Sequence, residues 1–285
     1  MEEKKVISIR ENDGGIVRLE SHESLSSTLS LAREYALEGY PDRYAVFSDK
    51  RIKAIPDGKG EVEYEEGLYL SIILRPSIFP SQASLLGAMS AAALVSALAD
   101  HTSARLGLGW VSDLYCEGVK IGNASVEGKL DNYTTYEYII VTFSVKLNKK
   151  HFPPRLTDMV RKVFESENTS IAMIIARNLL SRFFAFYSKI KSPAGFMEVY
   201  ADNFALRGVK IRKQEGDKKR VCKVLGINMQ NGALIVERRG GSLEELSSPR
   251  GVIIPKKIKL KKQDKEDEQK KQRSKKKDDE EEPQK

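Results

Sequence analysis

The chain has 285 residues, 40% of them hydrophobic, which is enough for two domains, or for one domain with an appendage, around a substantial core. Its formal net charge is +8, no apolar run reaches the roughly 20 residues of a membrane-spanning helix, and the first ten residues lack the apolar part of a signal peptide. Two cysteines are too few for a disulfide framework or a structural zinc site, so we expect a cytoplasmic protein without membrane attachment.

The N-terminal segment predicts two strands followed by a helix. Residues 12–15, Asn-Asp-Gly-Gly, are a strong turn signal between the strands VISIR and GIVRLE. One of the serines at positions 26 and 27 is the expected N-cap of the helix, and Gly39 ends it. Three apolar residues give this helix its predicted buried face: Leu31, Tyr35 and Leu37.

Strands dominate the next hundred residues. Residues 50–66 are polar and rich in Gly, Pro, Lys and Glu, which predicts a long loop. The run GLYLSIILRP that follows is almost entirely apolar and predicts a strand in the centre of a sheet. The other expected elements are a strand at RYAVFSD, a buried helix at 83–100, a hairpin-like pair of strands at 106–115 and 119–127, and a strand at 136–147.

In the last third of the folded chain, helical patterns give way to short strands. Residues 157–191 carry two helical patterns, and Pro193 and Gly195 then break the chain. Short strands then follow, GVKIRKQ, KRVCKVLGINM, GALIVERRG and GVIIP, separated by glycine turns, which predicts a small β-barrel. The expected organisation is an α+β domain at 1–195, a barrel at 196–258 and a tail at 259–285.

The tail is highly charged. From Lys256 onward it holds 13 basic and nine acidic residues with almost no apolar content, so it cannot bury enough surface to offset its ordering entropy. We expect a disordered, solubilising tail, with a nucleic-acid or partner contact as the alternative. The folded part is only weakly basic and shows no aromatic-basic stacking motif, so nucleic-acid binding is not indicated.

Several of these segments, in this order, resemble the biotin protein ligases over roughly residues 24–254. SSTLSLAREYA resembles the Ser-Thr-Asn helix start of that family, and GLYLSIILRP resembles its Leu-Tyr-Leu-Ser strand. WVSDLYCEGVKIGNASVE resembles its Trp-Pro-Asn-Asp-Leu strand with a lysine ten residues after the tryptophan, and VLGINMQNGALIVERRGG resembles its C-terminal SH3-like barrel. The resemblance implies an α+β fold, in which a mixed sheet flanked by helices, of the class II synthetase-like biotin and lipoate ligase type, precedes that barrel.

The resemblance also implies a reaction. The family joins biotin to ATP as biotinyl-5′-adenylate, with magnesium, and passes the biotinyl group to a lysine of a biotin carboxyl-carrier protein. Biotin, ATP and Mg²⁺ are therefore the expected ligands, and the carrier protein of a biotin-dependent carboxylase is the expected partner of a monomer or homodimer. The chain begins at the catalytic-type segment, without the helix-turn-helix of the family's repressor members, so we expect no specific DNA binding.

The resemblance assigns roles to individual residues. Lys120 aligns with the lysine that contacts the biotin carboxylate and the α-phosphate, and Asp113 with an acidic residue that orients the ligand or holds magnesium; these two are the expected catalytic residues. Six further residues are expected to bind biotin or the adenylate: Ser27, Thr28, Lys50, Arg51, Lys59 and Trp110. From the residues alone, each has an ordinary alternative, as a solvated lysine, a turn or cap residue, or a core tryptophan.

The sequence departs from the family where the chemistry is most demanding. The Gly-Arg-Gly-Arg-Arg-Gly-Arg loop should fall at 53–59, where KAIPDGK keeps Gly58 and offers Lys59 in place of the last arginine. Lysine cannot reproduce the two parallel bonds that arginine makes to a phosphate or carboxylate. The Gly-Ile-Gly-Ile-Asn strand reads TFSVK, so Thr142 and Ser144 add side chains that narrow the biotin pocket.

Two classes of function remain open at this point. One is a diverged biotin ligase; the other is a non-catalytic relative that binds a ligand or a carrier protein, with a changed acyl substrate as a variant of the first. Related acyltransferases use a Cys–Lys pair, but we expect Cys116 to be a small buried hydrophobic residue. The three histidines are scattered singly, which predicts no metalloenzyme.

Overall fold

The main sheet has eight strands. The computed structural model describes residues 5–55, 61–76, 78, 80–83, 85–102, 104–131, 135–147 and 170–260. The strands are β1 (Lys5–Arg10), β2 (Ile16–His22), β3 (Tyr44–Ala54), β4 (Val62–Leu74), β5 (Leu106–Leu108), β6 (Asp113–Cys116), β7 (Val119–Leu130) and β8 (Tyr136–Lys146). Their order is β1-β2-β3-β4-β8-β7-β6-β5, and β2 and β3 run parallel while the other neighbours are antiparallel. The sheet is therefore mixed, with the apolar strand β4 in its interior as predicted.

Helices cover both faces of this sheet. They are α1 (Thr28–Leu37), α2 (Pro80–Ala83), α3 (Leu86–Ala99), α4 (Ile171–Tyr187) and α5 (Ala194–Asp202). On one face, Ala32 and Ala36 of α1 pack in a small cluster with Ile73, Ile140 and neighbouring tyrosines. On the other face, α3, α4 and α5 enclose the large core. Among the helices of the described residues, none is long and apolar enough to cross a lipid bilayer.

A second, smaller sheet follows the helices. Its strands are β9 (Lys210–Glu215), β10 (Lys218–Ile227), β11 (Leu234–Arg238), β12 (Leu243–Leu246) and β13 (Val252–Ile253). They pair antiparallel in the order β12-β11-β10-β9-β13, around buried residues such as Val224 and Val236. This small antiparallel sheet fits an SH3-like barrel, and the predicted α+β fold class is confirmed.

The chain returns to the main sheet after β13. Residues 255–260, which we call the C-terminal strap, lie along the turn between β6 and β7. The amide of Lys120 donates to the carbonyl of Lys256 at 3.2 Å, and the amide of Ile258 donates to the carbonyl of Gly118 at 2.9 Å. The hydroxyl of Tyr115 donates to the carbonyl of Pro255 at 2.9 Å. The strap thus fixes the turn that precedes Lys120.

Two predicted boundaries are wrong. The expected loop at 50–66 is mostly strand, because β3 continues to Ala54 and β4 begins at Val62. Opposite charges face each other across these strands, Arg51 against Glu65 and Lys53 against Glu63, and such pairs stabilise a hairpin that composition alone suggests is a loop. The expected strand at 106–115 is two strands, since residues 109–112 lie between β5 and β6.

The helical predictions also need correction. Leu37 is 59% exposed, and α1 instead buries Thr28, Ala32 and Ala36. The helix before Pro193 ends at Tyr187, as the predicted break requires, but Pro193 then stands as the N-cap of α5, a helix that was not predicted. Strand β12 was not predicted, and the first helical pattern within 157–191 falls largely outside the described residues.

Candidate functional site

A row of polar side chains crosses the face of the main sheet that α1 covers. Tyr69 of β4 lies opposite Ser144 of β8, Ser144 lies opposite Asn123 of β7, and Asn123 lies opposite Asp113 of β6. Residues directly opposite each other on neighbouring strands share one face of the sheet. These four residues, the polar row, therefore form a continuous hydrogen-bonding surface that ends at Asp113.

A second row of hydroxyl groups lies two residues along these strands. Ser71, Thr142 and Ser125 stand opposite one another on β4, β8 and β7. Ser71 Oγ, fully buried, donates to Thr28 Oγ1 at 2.9 Å and lies 2.9 Å from Thr142 Oγ1. This hydroxyl row thus joins the first residue of α1 to the sheet. Thr28 lies where the sequence predicts a binding residue, and its hydroxyl already has a protein partner.

Ser27 is the N-cap of α1. Its backbone is extended, and its Oγ accepts a hydrogen bond from the amide of Ser30 at 3.1 Å. The predicted cap is therefore confirmed at position 27 and not 26. A serine hydroxyl that accepts one bond still has its own proton and a second lone pair, so Ser27 can cap the helix and also bind a ligand.

Lys120 and Asp113 form an ion pair. Lys120 Nζ lies 2.6 Å from Asp113 Oδ1, and the two side chains are 38% and 22% exposed. The turn between β6 and β7 brings them together, and the C-terminal strap holds that turn. The two residues predicted to be catalytic are thus in direct contact at the end of the polar row, with the ammonium group still accessible to solvent.

Trp110 lies in the segment between β5 and β6 and is 3% exposed. Its Nε1 donates to the carbonyl of Gly232 in the small sheet at 2.9 Å. The hydroxyl of Tyr200 donates to the carbonyls of Gly109 and Val111 on either side, at 3.1 and 2.8 Å. Trp110 therefore anchors the small sheet against the main one. It also lines a cavity of about 750 Å³ that Asp113 borders.

The most heavily paired carboxylate of this face is Glu65, which was not predicted. It accepts hydrogen bonds from Arg51, from Lys53 Nζ at 2.5 Å and from the Tyr69 hydroxyl at 3.0 Å, and it lies 3.0 Å from Lys146 Nζ. The carboxylate is 4% exposed, while the three cationic side chains are each about a third exposed. We call these five residues the Glu65 cluster; its formal net charge is +2.

The Glu65 carboxylate is kept ionised. Burial by itself would raise the pKa of Glu65, but the bonds from Lys53, Lys146, Tyr69 and Arg51 outweigh it and lower the pKa to about 2. The Arg51 guanidinium also lies 5.0 Å from the centre of the Tyr69 ring, within the range of a cation–π contact. The cluster therefore presents fixed positive charge beside the polar row.

The remaining predicted binding residues are less involved. Lys50 lies outside the cluster, and its Nζ is 3.8 Å from the exposed Glu23 carboxylate. Lys59 lies outside the described residues. The alternation of Glu63 and Glu65 against Arg51 and Lys53 could have indicated the cluster, had 50–66 been recognised as a hairpin.

Cys116 does not have the properties of a nucleophile. It is fully buried, and burial, followed by the nearby charge of Glu117, raises the pKa of its thiol to about 11. Such a thiol stays protonated near neutral pH, and the thiolate is the reactive form. No group of three potential metal-ligating side chains is found within the described ranges.

Comparisons with known proteins agree with this architecture. No family model matches the chain. The chain is 24% identical over 233 residues to the bifunctional ligase/repressor BirA of Bacillus subtilis, covering 77% of this chain and 69% of that protein. It also resembles the biotin protein ligase of Aquifex aeolicus in complex with biotin and ATP, with a TM-score of 0.59 and 19% identity over 82% of this chain and 97% of the other.

A third match carries no assigned activity. A biotin protein ligase-like protein of unknown function from Silicibacter sp. TM1040 gives a TM-score of 0.60 at 13% identity, over 81% of this chain and 94% of the other. At these identities the structural likenesses establish the fold. Together with the sequence match to BirA, they confirm the resemblance drawn from the motifs.

Proposed function

We propose that this chain, a divergent relative of the biotin protein ligases, joins biotin to ATP and transfers the biotinyl group to a lysine of a biotin carboxyl-carrier protein. The observation that carries the proposal is the Lys120–Asp113 ion pair at the end of the polar row. We place the reaction in the cytoplasm, where ATP is available and where free thiols such as Cys116 and Cys222 persist.

Lys120 suits the adenylation step. A carboxylate oxygen of biotin attacks the α-phosphorus of ATP, the bond to the β-phosphate oxygen breaks, and pyrophosphate leaves. Both reactants are anions, so an ammonium group between them stabilises the charge that gathers in the transition state. Asp113 holds Lys120 Nζ in place, with 2.6 Å between Nζ and Asp113 Oδ1.

The transfer step needs no further charged catalyst. The uncharged amine of the carrier lysine attacks the acyl carbon, the acyl–phosphate bond breaks, and AMP leaves while the amine loses a proton. Magnesium neutralises the phosphates of ATP when bound. Since Mg²⁺ usually takes one or two carboxylates besides phosphate and water oxygens, Asp113 can supply the protein ligand without a larger acidic cluster.

The Glu65 cluster supports nucleotide binding. Of its three cations, Arg51 and Lys53 lie on β3, which leads to the segment at 56–60, and Lys146 lies at the end of β8. Together they exceed the single carboxylate by two charges. They are the described cations best placed to replace the arginine-rich loop of the family. Lysine and a partly stacked arginine bind phosphate as point charges, which predicts weaker nucleotide binding than a forked arginine gives.

A second candidate, a non-catalytic ligand-binding protein, is favoured by one specific observation. The hydroxyl of Ser71 bonds to those of Thr28 and Thr142. The Glu65 carboxylate already pairs with Arg51, Lys53 and Lys146. A site whose polar groups are mutually satisfied binds a ligand without gaining as many new contacts.

Adenylate formation separates the two candidates. Purified protein is incubated with biotin, magnesium and α-labelled ATP, and labelled biotinyl-adenylate is expected. Lys120→Ala should slow its formation by about 10²–10³-fold, as the loss of one electrostatic donor does in other enzymes. The matched control is Lys129→Ala, on the same strand, whose exposed side chain pairs with Glu137 and should not affect the rate.

Each remaining outcome decides between the candidates. If biotin raises the melting temperature but no adenylate forms, the protein is the non-catalytic ligand-binding candidate. Adenylate formed at an unchanged rate by Lys120→Ala would refute the role of that lysine. If neither adenylate formation nor a thermal shift is observed, both candidates are overturned for biotin.

A further inference from the structure

The outer surface of the small sheet carries a groove of concentrated positive charge. Its volume is about 730 Å³, and six cations line it. Arg220 and Arg238 pair with Glu215 and Glu244, and the other four are exposed: Lys210, Lys219, Lys223 and Arg239. We call these four residues and the space between them the basic groove. Val221, 53% exposed, lies in the floor between Lys219 and Lys223, and Glu237 is the acidic residue of the lining.

The acidic residues of this sheet are largely used elsewhere. Glu215 and Glu244 pair with Lys213, Arg220 and Arg238 at distances of 2.5–3.5 Å. Those pairs lower the pKa of Glu244 to about 2, through hydrogen bonds first from Arg238 and then from Lys213. Within the described part of the chain, the four cations of the basic groove have no such ion pair.

The groove also contains an unfavourable strand pairing. Lys210 of β9 stands directly opposite Lys223 of β10, and like charges in that position destabilise a sheet. Glu237 of β11 stands opposite Lys223 on the other side and offsets part of this charge, but Lys210 has no acidic residue opposite it on β10. An anion bound between the two lysines removes that repulsion. The lining has no aromatic side chain on which a base could stack, so the groove lacks the usual platform for single-stranded nucleic acid. An acidic peptide is the better match.

We propose that the basic groove binds the acidic run at 278–282, Asp-Asp-Glu-Glu-Glu, of this same chain. The run offers five consecutive carboxylates to four cations that lack an ion pair. Side chains on one face of an extended strand repeat about every 6.6–6.8 Å, so Lys219 and Lys223, four residues apart on β10, are about 13 Å apart, and the first and last carboxylates of an extended 278–282 run have the same spacing.

The connection is long enough for this contact. Seventeen residues separate Leu260, the last described residue, from the acidic run. A segment of that length spans at most about 60 Å, several times the width of the small sheet, and β13, which leads into the strap, pairs with β9 of the groove. Tethering raises the local concentration of the acidic run to roughly the millimolar range, which makes individually weak surface ion pairs effective together.

The test uses a labelled peptide with the sequence of residues 278–285 and fluorescence anisotropy at low ionic strength. In the full chain, the variant D278N/D279N/E280Q/E281Q/E282Q frees the groove and should bind the peptide at least about tenfold more tightly than the unaltered chain. Adding Lys219→Glu and Lys223→Glu should abolish that binding. Adding Lys189→Glu and Lys191→Glu, two exposed lysines outside the small sheet, makes the same charge change and should preserve it.

Three results would overturn the proposal. One is equal binding of the peptide by the unaltered chain and the neutralised variant. Another is equal loss of binding in the groove variant and its charge-matched control. The third is a single-stranded oligonucleotide that binds through Lys219 and Lys223 and is not displaced by the acidic peptide. Melting temperatures establish that each variant is folded, and Lys219→Gln with Lys223→Gln provides a milder replacement for the glutamate pair.

Discussion

The Glu65 cluster makes a quantitative prediction about acid stability. The pKa of Glu65 is lowered from an ordinary value of 4.5 to about 2, a shift that corresponds to about 3 kcal/mol of stability. Lys53, Lys146 and Arg51 are each about a third exposed, so solvent screens part of their attraction and we expect about 2 kcal/mol. Since the folded pKa is depressed, this stability is present above pH 4.5 and is lost as the pH falls towards 2.

Urea unfolding of Glu65→Gln and the unaltered chain between pH 7 and pH 2.5 measures this contribution. At pH 7 the variant should be less stable by about 2 kcal/mol, and the difference should shrink as the pH falls through the window below 4.5. Glu63→Gln is the control, because Glu63 is exposed on the same strand and faces Lys53. A difference between Glu65→Gln and the unaltered chain that stays constant with pH would refute the electrostatic account of the cluster.

Three other predictions concern the sheet face, the thiol and the strap. Thr142→Gly removes a side chain from the hydroxyl row and so widens the expected biotin pocket. Calorimetry should show an affinity for biotin about tenfold higher, while the free energy of unfolding falls by about 1 kcal/mol because glycine weakens the strand. Unchanged affinity would show that Thr142 does not narrow the pocket. Cys116→Ala should keep adenylate formation within about twofold, because the buried thiol stays protonated, and a loss beyond tenfold would restore the thiol mechanism. Ending the chain after Leu260 should lower the melting temperature only by the weak contact of residues 278–282 with the basic groove. Ending it before Pro255 should lower it by several degrees more, through lost backbone bonds to the β6–β7 turn, and equal melting of the two would contradict the role of the strap.

Local patterns were sufficient to predict the frame of the molecule. The hairpin of β1 and β2, the apolar strand β4 and the helix α3 each depend on neighbouring residues, through turn chemistry or a run of buried side chains. The family resemblance placed Lys120 and Asp113 in one site, and the structure brings their side chains into contact across one turn, with six residues between them. Short-range patterns therefore account for these elements, whereas the family resemblance accounts for the choice of Lys120 and Asp113 as candidate catalytic residues.

Contacts between segments that are distant in the sequence could not be predicted from local patterns. Lys146 joins the Glu65 cluster from a strand 81 residues further along the chain, and nothing local to Glu65 indicates it. The polar residues at 50–66 have the composition of a loop, and only the cross-strand charge pairs reveal the hairpin. Trp110 was expected near a ligand, but its bond to Gly232, 122 residues away, depends on how the two sheets meet.

The C-terminal strap has a consequence for the order in which this protein can be made. Lys120 leaves the ribosome about 140 residues before Lys256, its backbone partner, and at roughly 5–20 residues per second that interval is on the order of 10–30 seconds. During that time the main sheet can assemble, but the turn before Lys120 has an open edge. A nascent chain therefore completes the turn before Lys120 only after the small sheet has been synthesised.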